Sequence, residues 1–141
     1  MPVDGSAATQ LVNEYSADPV WSTDGSLLVY SGPDIGTTFA VKAIASGPGG
    51  PRLPELTLSR GSRHVAFLPD GRSLVVLRGE IAHKDLWLFD LETGAQRQLT
   101  NFAPDFNVRD FDISPDGHEI LGEQVREQSD IVLIDRSSSR P

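Results

Sequence analysis

Three carboxylates, Asp24, Asp70 and Asp116, are the first candidates for chemistry, because both intervals between them are 46 residues. A ring of carboxylates could hold a cation. A hard cation needs several oxygen ligands converging on one point, and nothing in this spacing supplies them. Each Asp is followed by Gly, at Gly25, Gly71 and Gly117. That pairing favours a turn, with Asp bonding back to backbone amides. The three histidines, His64, His83 and His118, form no local metal motif. His118 follows a turn Gly and is expected to be solvated, and His64 to enter a strand. His83 lies in a connector before Asp85 and is the one histidine worth testing. There is no Gly-x-Ser-x-Gly elbow, no phosphate-binding Gly-rich loop and no kinase loop. The chain itself is therefore expected to be non-catalytic, with no cofactor and no metal. Trp21 and Trp87 could form a carbohydrate platform, but their repeat positions predict core packing.

The net charge of −8 argues against nucleic acid, which needs a basic patch. It also disfavours anionic lipid surfaces, and no apolar run is long enough to span a bilayer. Acidic residues around Asp105, Asp110 and Asp112 offer a patch for a basic partner, although such charges more often keep sheet edges soluble. No cysteine is present, so disulfides and thiolate metal sites are excluded. The opening residues MPVDGSAATQ lack the pattern of a secretory signal.

The elements that carry these residues repeat. The five-residue stretches Trp21–Gly25, Phe67–Gly71 and Ile113–Gly117 share one position order, and equal spacing across a chain signals a repeat architecture. The second unit is the clearest. Strands are predicted at 64–67, 73–77, 85–90 and 95–100, with Glu92-Thr93-Gly94 turning the chain before the last. In the first unit the strands are 20–22, 27–30, 39–45 and 53–58, with Ser31-Gly32-Pro33 ending the second and a Gly/Pro-rich loop at 46–51. The third unit has strands at 108–113, 119–121 and 130–135. Residues 9–12 read as a further short strand, since Gln10-Leu11-Val12-Asn13 resembles Gln98-Leu99-Thr100-Asn101. On this reading residues 1–141 are one segment with units at 16–58, 62–100 and 107–135, and 8–13 completes the last. Trp21, Phe67 and Ile113 hold the same place in each unit, and each is expected to face the neighbouring sheet.

The motifs DLWLFDLETGAQRQLT and FDISPDG resemble the Pro-Asp, WD40-like repeat of TolB-type β-propellers. The resemblance implies an all-β fold, a partial β-propeller of about three blades of four antiparallel strands. The tail EQVREQSDIVLID is similar to the C-terminal end of propellers in large bacterial proteins, so the chain is expected to be the C-terminal part of a longer protein. Three blades leave open sheet edges. The rest of a longer chain could cover them, two copies could close one ring as a homodimer, or the arc could stay open. The family also implies a periplasmic or other extracytoplasmic location. The expected role is a sensing or scaffold platform that binds a protein or small ligand. The rival reading is the propeller part of a larger enzyme, a serine peptidase or serine/threonine kinase, whose catalytic domain is absent here. A third is a structural spacer. Candidate ligand contacts lie in the connectors 34–37, 79–84 and 103–107: Asp34, Thr37, His83, Lys84, Asp105 and Asn107.

Overall fold

The computed structural model describes residues 4–47, 53, 55–59, 65–80 and 82–125. His64 and the strand predicted at 130–135 lie outside these residues. The described chain is all-β, with ten strands and no helix. Strands β1 (Ala17–Trp21), β2 (Leu27–Ile35), β3 (Thr38–Ala45) and β4 (Leu56–Ser59) form one antiparallel sheet in sequential order. Strands β5 (Val65–Phe67), β6 (Ser73–Glu80), β7 (His83–Asp90) and β8 (Gln96–Gln98) form a second with the same order. Strands β9 (Asn107–Ile113) and β10 (Ile120–Val125) pair as a third.

Each Asp-Gly turn joins the first two strands of its sheet. The Gly amides donate to Ser22, Leu68 and Ser114 carbonyls at 2.9, 3.0 and 2.8 Å, the i to i+3 bond of a β-turn. Each Asp accepts from the amide two residues on, at Ser26, Arg72 and His118. Asp24, Asp70 and Asp116 each therefore accept a backbone amide within their own turn.

The sheets pack face to face because successive side chains on a strand point to opposite sides. Val20, Leu27, Val29, Phe39 and Val41 of the first sheet meet Val65, Leu74, Val76 and Phe89 of the second in one core. The opposite side of the second sheet, with Ala66, Val75, Leu77 and Leu86, meets Val108, Phe111 and Ile113 in another. The strand β1 lies against β5, and β7 against β9. The turns follow the same stacking. Thr23 Oγ1 donates to the Leu68 carbonyl at 3.3 Å, and Gly117 sits hard against the Pro69 ring.

Several expectations are revised. Residues 9–12 are not a strand and run as irregular chain over the first sheet. Their expected partner at 130–135 lies outside the described residues. The strand β2 continues through Ser31-Gly32-Pro33, because a register shift between Ser31 and Asp34 leaves the proline, which has no N–H to donate, out of the ladder. Trp21 does not pack in a core and is 55% exposed. It faces away from the second sheet, on the side of the first sheet that no other described sheet covers. Trp87 instead packs against the core between the first two sheets, with the Arg78 guanidinium 5.2 Å from its ring centroid. The two indoles therefore belong to different faces and make no joint platform.

Candidate binding surface

Antiparallel alternation decides where the connectors go. If the Asp-Gly turns mark one end of the sheets, the β2–β3 and β6–β7 hairpins and the β8-to-β9 connector must lie at the other. That end carries Asp34, Thr37, His83, Asp105 and Asn107. The six candidates lie in three separate stretches of sequence, and the topology brings all but one to a single solvent-facing end.

The hairpins are tighter than the connectors expected. Ile35 pairs with Thr38, so only Gly36 and Thr37 form the tip, with Gly36 at a φ of 64°. A left-handed Gly at the first loop position suits the twist of a two-residue hairpin. Asp34 and Thr37 are both exposed there. In the second sheet pairing runs on to Glu80 and His83.

Lys84 is the exception. It is only 2% exposed. The strand β7 begins at His83 instead of Asp85, so Lys84 falls on the same side as Leu86 and Leu88, which pack in the second core. Burial pushes its ammonium down from the ordinary value. Lys84 is an interior residue and no surface ligand contact.

His83 and Asp85 form the polar centre of this end. His83 Nε2 lies 3.9 Å from Asp85 Oδ2, and His83 Nδ1 is buried with no hydrogen-bond partner among the described residues. Asp85 is the residue that fixes the connector. Its Oδ1 accepts from the Thr100 hydroxyl at 2.9 Å and the Phe102 amide at 2.8 Å, and its Oδ2 accepts from Gln98 Nε2 at 3.1 Å. The Thr100 hydroxyl in turn accepts from the Leu86 amide at 2.9 Å. A charged acceptor makes these bonds stronger than neutral ones. Beyond this anchor the Phe106 amide donates to the Ala103 carbonyl, and the Phe102 and Phe106 rings stack with centroids 4.7 Å apart. Asp105 is thereby held out at the tip of a fixed turn, and Asn107 opens β9 opposite Val125.

The same connector walls a cleft of about 520 Å³ between the second and third sheets. Leu86, Leu88, Leu99 and Phe106 make it apolar, and Arg97, Thr100 and His118 add polar groups. The volume is that of a small-molecule site. Sequence reasoning named Asp105 and Asn107 but missed Asp85 and the cleft. The available signal was an isolated Asp heading the apolar run of β7, with Gln98 and Thr100 alternating a few residues later.

Asp110 and Asp112, grouped in sequence with Asp105, lie elsewhere. They share the outer side of the third sheet with their cross-strand partners Glu123 and Leu121. Among the described residues no group of three acidic or histidine side chains is placed to hold a metal. What the connector end can do is present hydrogen-bonding groups, the carboxylates Asp34 and Asp105 among them, to a partner. Compared with family models and with curated proteins, the chain matches none of either.

Proposed function

We propose that this chain is a set of blades of a TolB-like β-propeller and acts as a non-catalytic platform that binds a protein or small ligand. The propeller reading is supported by the 46-residue period, by the up-and-down order repeated in the first two sheets, and by the stacking of successive Asp-Gly turns. One observation carries the binding reading. Strand alternation gathers Asp34, Thr37, His83, Asp105 and Asn107 at a single end, while the Asp-Gly turns occupy the other. Loops on a stiff sheet scaffold are where binding groups reside. The carboxylates Asp34 and Asp105 at this end and the net charge of −8 favour a basic or neutral partner.

The test is a screen of neutral and Lys/Arg-containing peptides by thermal shift, repeated on a variant with Asp34→Ala, His83→Ala and Asp105→Ala. A peptide that binds only the native chain raises its melting temperature and leaves that of the variant unchanged. Peptides that stabilise both equally, or none that stabilises the native chain, would remove the reading.

A further inference from the structure

The two outward faces of the stack are chemically unlike. At positions where the first sheet places Val20 and Val29 toward its neighbour, and the second places Ala66 and Val75, the third sheet has Asp112 and Leu121. Asp110 and Glu123 lie directly opposite each other on the same side. Leu121 is 77% exposed and ringed by acid. This face repels another copy of a chain that is itself strongly acidic. The other face, on the first sheet, is apolar. Leu28, Tyr30 and Ile44 form its floor, Trp21 stands at its rim, and residues 10–16 run across it as a strap, leaving a cleft of about 540 Å³.

The strap is held down. Both Glu14 carboxylate oxygens accept from Lys42 Nζ at 2.7 Å, and Tyr30 donates its hydroxyl at 3.1 Å. This pairing also neutralises Glu14, the one charged side chain among the described residues that line the cleft. Asp18, with a φ of 50°, sits at the register shift near the start of β1. Two large side chains project beside the cleft: Tyr15 from the strap and Trp21 at the rim, both more than half exposed. The corner next to them is open as well. A Cβ at Gly71 or Gly117 would meet the turn of the preceding sheet within 4 Å, whereas one at Gly25 would meet nothing within that distance.

We propose that this face binds a second copy of the chain, face to face about a two-fold axis. A surface that carries both a projecting aromatic and an open apolar cleft is complementary to itself, which a two-fold contact requires. The aromatic of each copy enters the cleft of the other. Head-to-tail pairing, which would join the acidic face to the apolar one, buries Asp110, Asp112 and Glu123 against hydrocarbon and is disfavoured. The contact rests on the stacked-sheet architecture and leaves the connector end free, so its failure would leave the peptide-binding result untouched.

Sedimentation velocity of the full chain over a range of concentrations tests it. The expected result is a dimer whose dissociation constant rises by about tenfold or more in Trp21→Glu, as for a central aromatic anchor. Leu121→Glu leaves it unchanged. Leu11→Glu, on the strap and outside every strand, repeats the loss without altering a sheet. A native chain that stays monomeric throughout overturns the proposal. So do Leu121→Glu chains that stay monomeric alone and dimerise only when mixed with Trp21→Glu chains, because only head-to-tail pairing needs both faces and leaves that mixture one intact interface.

Discussion

Replacing Gly117 by Ala tests whether successive turns bear on each other, and Gly25 supplies its internal control. Both glycines follow the Asp of their turn, with φ of 74° and 69°. An alanine at either pays the left-handed penalty of about 1–2 kcal/mol. Their surroundings differ. A Cβ at Gly117 would lie 2.7 Å from Pro69 Cδ and 3.0 Å from Cγ, whereas one at Gly25 meets nothing within 4 Å. The proline ring is stiff, so the turn or the third sheet must move. Overpacking of this kind costs about 1–3 kcal/mol beyond the backbone term. Gly117→Ala is therefore expected to destabilise more than Gly25→Ala by at least about 1 kcal/mol. Urea titration of dilute protein, followed by Trp fluorescence, gives both values with unchanged slopes. Pro69→Ala in the Gly117→Ala background should recover most of the difference, as a coupling between neighbours. Equal losses in the two glycine variants would show that the corners do not touch, and the stacked-turn architecture would fall with them.

Three further outcomes follow from particular contacts. Asp85→Ala leaves the Phe102 amide and the Thr100 hydroxyl without their acceptor, and should cost about 2 kcal/mol or more by urea titration, with amide exchange rising first across 99–106. Phe39→Ala empties a fully buried position of the first core and should cost about 3–5 kcal/mol in the same titration. Asp90 accepts from the Thr93 and Glu92 amides and from Arg72, and Asp24 from the Ser22 hydroxyl and Ser26 amide, which hold both carboxyls down at about 2. Because the folded values lie below the ordinary 3.8, their stabilisation is complete above that pH and is lost as pH falls from 3.8 toward 2. Acid titrations of Asp24→Asn and Asp90→Asn should accordingly be flatter than that of the native chain across this window.

The period and the turns were determined locally. Asp70 and Gly71 need only their own backbone neighbours to make a turn, and alternating apolar residues such as Val75 and Leu77 need only the pleat to choose a side. Strand existence in the second unit was legible for this reason. Strand ends were less so. Nothing around Ser31-Gly32-Pro33 announces that a register shift carries β2 past the proline, and nothing near Arg78 announces that pairing continues to Glu80. Extra pairs form there because the partner strand is already in place, which is a property of the sheet and not of the segment. Burial was decided only by packing. Lys84 reads as a connector lysine until β7 starts two residues early and turns it inward. Trp21 and Phe67 occupy equivalent places, yet Phe67 packs against the first sheet and Trp21 stands in solvent, because a side chain is covered by what lies across from it. The candidate surface divides the same way: residue types nominated its members, and the alternation of antiparallel strands put Asp34, His83 and Asp105 at one end.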